Sequence, residues 1–334
     1  MEINVDWYYD RMKLVKIFAK EVEVEEVAIC IPLEYKTAVL IYELSKYTNV
    51  IATDFDGIAV KEKAVEWLRD RGIDVVNRKK AINAKYFLDC AAVLSRTALK
   101  HRRSISVVEL TKTGEEILKR FEGVKAISVD SSTLKGIGEN TYGTAFGLLD
   151  ALMRLNVYLP GKDVVVVGFG RVGRGCARLL KALGCKVKVF DISESKMLEA
   201  LYEGFEIANS FDADIVVTCT GVRGVLKIKD SSIRDGAILL NLGAEMEIEP
   251  AGELVADYNG VKKYRYNEIE YYLVADGYAA NLAIANGTPI EVMDRTFSAS
   301  ILALNYLRED FNGVIPLPKE IEKRILTTMV AHRL

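Results

Sequence analysis

The feature that most constrains the fold is a run of four valines that leads directly into a glycine-rich turn. The stretch DVVVVGFGRVGRGCARLLKALG places Gly168, Gly170 and Gly173 in the spacing G-x-G-x-x-G and continues into a helical apolar pattern. In a dinucleotide-binding unit the first glycine permits the tight turn and the second lets the backbone approach a pyrophosphate. The third allows close packing of helix on strand. The order strand, turn, helix therefore predicts a dinucleotide site here.

The next predicted strand, KVKVFD, ends at Asp191, which lies 23 residues after Gly168. A carboxylate at this place accepts hydrogen bonds from the ribose hydroxyls and repels a 2′-phosphate, which favours NAD over NADP. Arg171 and Val172 open the helix and complete the predicted cofactor loop of a Rossmann-type domain. Two alternatives stay open on these residues alone: a purely structural turn and an S-adenosylmethionine-binding variant with a similar first loop.

Two further strand ends carry candidate cofactor contacts. DIVVTCTG supplies Thr218, Thr220 and Gly221, and AILLNLG supplies Asn241 and Gly243. Each group follows an apolar strand, so it should lie at the carboxyl edge of the sheet, where open α/β folds bind ligands. We predict that they face the nicotinamide end of the cofactor. The alternative is that the threonines only satisfy local backbone groups.

The first part of the chain shows a separate alternation of strand and helix patterns. The strand patterns lie at 27–32, 50–55, 74–78, 89–95 and 125–130. Near-continuous apolar strands between helices predict a parallel sheet covered on both faces. A chain of 334 residues exceeds one ordinary core. We therefore expect a two-domain α/β protein with a cleft between its domains. The expected parts are an α/β substrate domain at 1–142, a Rossmann NAD-binding domain at 143–287 and C-terminal helices at 288–334 that return to the substrate domain.

The composition of the chain favours a small molecule as its binding partner. The formal net charge is −2, so the overall balance offers no attraction to nucleic acid or to an anionic membrane. No apolar stretch reaches the roughly 20 residues of a membrane span, and the N-terminal stretch MEINVDWYYDRMKLVKIF carries acids and lacks an uninterrupted apolar core, so we expect a cytoplasmic protein. The five cysteines are scattered singly, which argues against a disulfide framework or a metal site.

Several stretches read together resemble the adenosylhomocysteinase family in both order and spacing. They are ENTYGTAFGLLDALMR, the glycine-rich stretch above, DIVVTCTG, AILLNLGAEMEIE and LVADGYAANLAIANGTPIEVM. The resemblance is thinner over about 27–136. It implies an enzyme that holds NAD throughout its cycle, uses it to oxidise a substrate hydroxyl transiently and regenerates it when the product is reduced.

The resemblance also implies roles for individual residues. Lys135, Glu139 and Asn140 match the residues that carry the hydroxyl oxidation in that family, with Glu in place of Asp. An amine beside a hydroxyl that loses hydride is chemically sensible, because it can accept or relay the proton. Without the resemblance, Lys135 would be read as one more solvated lysine. Cofactor contacts are implied in the same way for Thr111, Thr113 and Asn281.

The chain departs from the family at the positions that read the substrate. Only His101 and His332 are present, and neither matches a family histidine. The departures fall at Pro32, Glu34, Lys36, Cys90, Leu110, Ala244 and Thr288. We therefore expect the redox half of the mechanism on a substrate other than S-adenosylhomocysteine. The alternatives are a true adenosylhomocysteinase with a rearranged pocket, a plain NAD-dependent dehydrogenase and a non-catalytic NAD-binding regulator.

The resemblance further implies a homo-oligomer. The chain closes with TTMVAHRL in place of the family's Lys- and Tyr-containing tail. We therefore expect a dimer.

Overall fold

The computed structural model describes residues 4–55 and 60–334. The strands are β1 Glu26–Cys30, β2 Asn49–Thr53, β3 Val75–Val76, β4 Phe87–Asp89, β5 Ile105–Glu109, β6 Val124–Ser128, β7 Asp163–Val167, β8 Lys186–Phe190, β9 Glu206–Ile207, β10 Ile215–Thr218, β11 Leu226–Lys227, β12 Ala237–Asn241, β13 Ile248–Glu249, β14 Glu253–Asp257, β15 Val261–Tyr266, β16 Ile269–Val274 and β17 Gly313–Pro316. The α-helices are α1 Val5–Arg11, α2 Lys13–Phe18, α3 Tyr35–Ser45, α4 Glu62–Arg69, α5 Val93–Leu99, α6 Lys112–Leu118, α7 Thr144–Arg154, α8 Arg171–Ala182, α9 Glu194–Tyr202, α10 Ala280–Ala283, α11 Ile290–Tyr306 and α12 Lys319–His332. A π-helical segment, Leu134–Gly143, precedes α7.

The chain divides into two compact units. The first unit holds residues 1–136 and 290–334, and the second unit holds residues 137–289. The sequence placed the junctions after 142 and 287, a few residues from these positions. The first junction lies earlier because the π-helical segment continues into α7, which packs on α8 and α10 of the second unit.

The first unit is built on a seven-stranded parallel sheet in the order β17-β6-β5-β4-β1-β2-β3. Val27 and Ile29 of β1 join a core with the helices on one face. Ala28 and Cys30 join a second core on the other face. Burial on both faces explains why β1 reads as an uninterrupted apolar run.

The second unit is also built on a largely parallel sheet with helices between its strands. Its sheet has the order β14-β15-β16-β12-β10-β7-β8-β9, and the six strands from β16 to β9 are parallel. The valines of β7 alternate between two cores, with Val164 and Val166 in one core and Val165 and Val167 in the other. From β9 to β16 the strands follow the order of a dinucleotide-binding sheet. The predicted α/β fold with a Rossmann-type domain is confirmed.

The predicted strand at 89–95 is wrong beyond its first residue. β4 ends at Asp89, a turn follows, and α5 begins at Val93. The Asp89 carboxylate accepts hydrogen bonds from the backbone amides of Leu94 and Ser95, at 3.2 and 2.7 Å. These bonds satisfy amides in the first turn of α5, so the apolar run is divided between a strand and a helix.

Further strands went unpredicted. β5 lies inside the first sheet between β6 and β4, and β17 extends that sheet from within the predicted loop between the C-terminal helices. β14 and β15 add an antiparallel edge to the second sheet, where Tyr264 stacks on Tyr271.

No helix within the described ranges is long and apolar enough to cross a membrane. All five cysteines are free.

Candidate functional site

Each glycine in the glycine-rich turn of the second unit has a different physical role. Gly168 has φ of +95°, and its amide donates to the Phe190 carbonyl at 2.7 Å. A Cβ at Gly173 would overlap the Gly168 carbonyl oxygen, so only glycine lets α8 approach the turn. A Cβ at Gly170 would meet no atom within 4 Å among the described residues. Gly170 therefore borders open space rather than packed protein.

The N-terminus of α8 is open to an anion. Gly170 occupies the capping position and gives the helix no side-chain cap. The N-terminus of a helix favours phosphate because its N–H groups and the positive end of its dipole face the anion. Arg171 is exposed at the helix start, whereas Val172 is half-buried against the core of the unit.

Asp191 ties the end of β8 to the glycine turn. Its Oδ2 accepts from the Phe169 amide at 2.7 Å, and its Oδ1 accepts from the Ser193 amide at 2.8 Å. The side chain is half-buried. Each carboxylate oxygen can accept more than one hydrogen bond, so both remain able to take a ribose hydroxyl. The predicted ribose acceptor is thus also a structural element of the loop.

The strand ends after β10 and β12 are joined by polar side chains. Thr218 is buried and its Oγ1 donates to Asn241 Oδ1 at 3.3 Å. Asn241 also accepts from the Gly243 amide and donates to the Glu245 and Gly277 carbonyls, at 2.8, 2.6 and 2.8 Å. The polar groups of Asn241 therefore make hydrogen bonds within the second unit that help to shape the sheet edge, and its contact with the cofactor stays a prediction.

Glu247 is a buried residue at this edge that sequence reasoning missed. Its carboxylate accepts from the Thr220 amide at 2.9 Å, from the Thr220 hydroxyl at 2.9 Å and from the Gly221 amide at 2.6 Å. A Cβ at Gly243 would overlap the carboxylate. Burial raises the pKa of Glu247, and the hydrogen bonds from Thr220 and Gly221 oppose that rise. No local pattern distinguishes this glutamate from its exposed neighbours.

We expect Glu247→Gln to loosen the Thr220–Gly221 loop, because an amide has only one accepting oxygen for these donors. The free energy of unfolding in urea should fall by about 1–3 kcal/mol, the usual cost of leaving buried donors unsatisfied. Glu249→Gln is the matched control, since Glu249 is exposed. Equal stability of the two variants would show that Glu247 does not hold the loop.

Asn281 differs from Asn241 in its hydrogen bonding. It lies on α10 with 6 % of its surface exposed, and its Oδ1 has no hydrogen-bond partner in the part of the chain that the structure describes. Its Cβ lies close to Gly147, where an added methyl would be only 2.9 Å away. A buried, unsatisfied acceptor is costly unless a ligand supplies the donor. Asn281 is therefore suited to an amide donor of a bound molecule.

The remaining predicted cofactor contacts lie in the first unit. Thr111 is the capping residue of α6, and its hydroxyl accepts from the Gly114 and Ala91 amides, both at 3.0 Å. The same hydroxyl donates to Glu109 Oε1 at 2.7 Å. Thr113 is half-buried in the first turn of α6. Thr111 is thus part of the local framework.

The three predicted catalytic residues lie on the π-helical segment. Lys135 belongs to the first unit with 6 % of its surface exposed, and its amide donates to Ser132 Oγ at 3.1 Å. Its charge lowers the pKa of the Cys90 thiol, but burial outweighs this and raises it. In the second unit, Glu139 is buried and its carbonyl accepts from the Thr144 hydroxyl at 3.2 Å, while Asn140 is half-buried. π-Helical turns are frequent at functional sites.

The chain is similar both to a protein-family model and to individual known proteins. Residues 140–290 match the family model of the S-adenosyl-L-homocysteine hydrolase NAD binding domain. The chain is 31 % identical to an adenosylhomocysteinase of Thermotoga maritima, over 97 % of this chain and 92 % of the relative. It is 30 % identical to an S-inosyl-L-homocysteine hydrolase of Methanopyrus kandleri, over 96 % and 88 %. The prediction of NAD as cofactor is confirmed.

Proposed function

Because this chain belongs to the adenosylhomocysteinase family, we propose that it is an NAD-dependent hydrolase that cleaves the thioether of an S-nucleosyl-L-homocysteine. The relatives carry the names adenosylhomocysteinase and S-inosyl-L-homocysteine hydrolase. They give no support to the expectation of an unrelated substrate. S-Adenosyl-L-homocysteine is therefore the first substrate to test, and its inosyl counterpart is the second.

The observation that carries the proposal is the fit of the second unit to a dinucleotide. The open space beside Gly170 and the uncapped start of α8 suit a pyrophosphate. The unsatisfied Oδ1 of Asn281 suits a carboxamide donor. When bound, NAD supplies a hydride acceptor that is restored before the products leave.

The chain's own groups would manage the proton. We assign Lys135 Nζ, as the neutral amine, to accept the hydroxyl proton and become the ammonium, because its burial excludes bulk water as a competing base. Glu139 and Asn140 are assigned to the same step through the family resemblance. Asp191 would orient the adenosine ribose of the cofactor through lone pairs that its two backbone donors leave open.

The synthetic direction tests the proposal. Purified protein is incubated with homocysteine and either adenosine or inosine, and the thioether product is measured by mass spectrometry. Product from one nucleoside in excess of the other supports the proposal and identifies the base. Absence of product from both, at high enzyme concentration and with NAD present, rejects it.

We further infer a homo-oligomer, with a dimer as the expected form. Tyr142, Phe146 and Met153 are each more than half exposed. Their spacing of four and seven residues, with α7 continuing from the preceding segment, indicates one helical stripe. Exposed apolar stripes of this kind mark protein contacts. Sedimentation velocity should give a dimer that Phe146→Glu weakens, and a monomeric wild type would contradict the inference.

A further inference from the structure

The segment that carries Lys135 begins with a capped helical turn. Ser132 precedes this turn, and its hydroxyl accepts from the Lys135 amide, three residues further on, at 3.1 Å. The Ser132 carbonyl accepts from the Gly136 amide at 2.7 Å. A serine that bonds in this way is an N-cap, and it leaves the amides of the two intervening residues, Thr133 and Leu134, for another acceptor.

A glutamate of the C-terminal helix α12 supplies that acceptor. Glu322 Oε1 accepts from the Thr133 amide at 2.5 Å and from the Leu134 amide at 3.3 Å. Hydrogen bonds to a carboxylate are stronger than those between neutral groups, and a negative charge at a helix N-terminus interacts favourably with the helix dipole. All four first amides of the turn therefore donate, two of them to a side chain that lies 189 residues after Thr133.

Apolar packing fixes both sides of this contact. Ile321 and Ile325 of α12 are buried in the core that lies on one face of the first sheet. Leu134 packs against the same core. Glu322 lies between these residues and is itself half-buried. The helix that donates the carboxylate and the turn that receives it are therefore held by one core, within the first unit.

The place of the Lys135 amine depends on the backbone of this turn. A general base must come within about 2.6–3.2 Å of the group whose proton it takes. Lysine has a long, flexible side chain. Burial restricts the paths that the Lys135 side chain can take, so the direction of its Cα–Cβ bond decides where Nζ lies. A displacement of about 1 Å at a reacting group can cost about 10²-fold in rate.

We propose that Glu322 is a positioning residue for the reaction: its carboxylate caps the turn that carries Lys135 and thereby holds the amine in place for proton transfer. Helix α12 then contributes to catalysis as well as to the core of the first unit. Glu322 acts through Lys135 and makes no contact with the reacting atoms. The effect on turnover rests on the proposed function, whereas the capping of the turn does not.

Two substitutions separate the acceptor from the rest of the side chain. Glu322→Met removes the acceptor but keeps an unbranched side chain that favours a helix. Its turnover of S-nucleosyl-L-homocysteine should fall by about 10–100-fold, with a much smaller change in the Michaelis constant. Glu322→Gln keeps one oxygen that can accept from both amides. We expect its turnover within about fivefold of the wild type, because it loses only the charge.

A double variant distinguishes positioning from a general loss of stability. In a Lys135→Met protein, Glu322→Met should cause no further loss of turnover, because the amine that it positions is already absent. A purely structural role would lower turnover by the same factor in both proteins. Glu320→Met is the matched control on α12, since Glu320 is exposed and accepts from the Tyr306 hydroxyl at 2.7 Å. Its turnover should equal that of the wild type.

Amide hydrogen exchange tests the cap without reference to catalysis. In peptides that contain Thr133 and Leu134, Glu322→Met should speed exchange by about tenfold, because the turn opens more easily without its cap. Glu320→Met should leave this exchange unchanged. If Glu322→Met does not fold, Glu322→Asp takes its place, since a side chain shorter by one methylene cannot reach both amides in the same way.

The outcomes are distinct. Slower turnover and faster exchange in Glu322→Met, with rescue in Glu322→Gln, support the proposal. Wild-type exchange in Glu322→Met, or an equal loss of turnover with and without Lys135, would overturn it. A wild type that hydrolyses neither nucleosyl thioether would reject the proposed function, and the exchange rates alone would then decide whether Glu322 holds the turn.

Discussion

A Lys135→Met variant should fold and retain NAD but lose turnover by about 10²–10⁴-fold, the usual contribution of a positioned acid or base. Methionine is unbranched and flexible, so it can fill the buried space of the lysine stem. The backbone bond from Lys135 to Ser132 Oγ does not involve the side chain and should survive. We therefore expect the loss of turnover to be much larger than any effect of the substitution on folding.

Two further variants separate the chemistry from the charge. Lys135→Arg keeps a positive charge but cannot release its proton, so it should not restore turnover. Lys112→Met removes an exposed lysine and should leave turnover unchanged. Steady-state kinetics at saturating substrate, with folding checked by circular dichroism, measure the effect. Turnover of Lys135→Met within threefold of the wild type would remove Lys135 from the mechanism.

The second large effect is a loss of NAD affinity in Gly170→Ala without loss of the fold. An alanine Cβ at this position meets no atom of the described residues within 4 Å, so the free energy of unfolding should change by less than about 1 kcal/mol. The methyl group would occupy the space in which the backbone approaches the pyrophosphate. We expect at least a tenfold weaker affinity for NAD, measured by calorimetric titration of the cofactor-free protein.

Gly173→Ala gives the opposite pattern and serves as the contrast. Its Cβ would overlap the Gly168 carbonyl oxygen, a backbone atom that cannot move aside without displacing the turn. This variant should lose several kcal/mol of stability, as overpacked sites do. A Gly170→Ala protein with wild-type NAD affinity would contradict the assignment of this turn to the pyrophosphate.

The sequence predicts those parts of the fold in which apolar residues follow a regular pattern along the chain. The valines of β7 and the residues of β1 are buried on both faces, so they read as continuous apolar runs between amphipathic helices. The boundary between β4 and α5 was misplaced because the five residues between Asp89 and Ser95 form one uninterrupted apolar run. The break comes from left-handed alanines and a buried carboxylate, which have no local signature.

The residues of the candidate site likewise fall into two groups: those that a local sequence pattern predicts and those that depend on long-range packing. Glycine spacing and Asp191 identify the cofactor loop because their roles depend on local geometry. Glu247, Asp89 and Glu109 act through amides from other elements, so only the folded chain reveals them. The unsatisfied oxygen of Asn281 likewise depends on long-range packing.

The most direct test of the central claim follows hydrolysis while accounting for the cofactor. Purified protein with bound NAD is mixed with excess S-adenosyl-L-homocysteine, or with its inosyl counterpart, and homocysteine thiol is measured over time. The protein is then denatured and its NADH quantified. We predict many thiols released per bound NAD with no accumulation of NADH, because the cofactor is restored in every cycle. NADH formed in proportion to product, or no thiol from either substrate, would contradict the account.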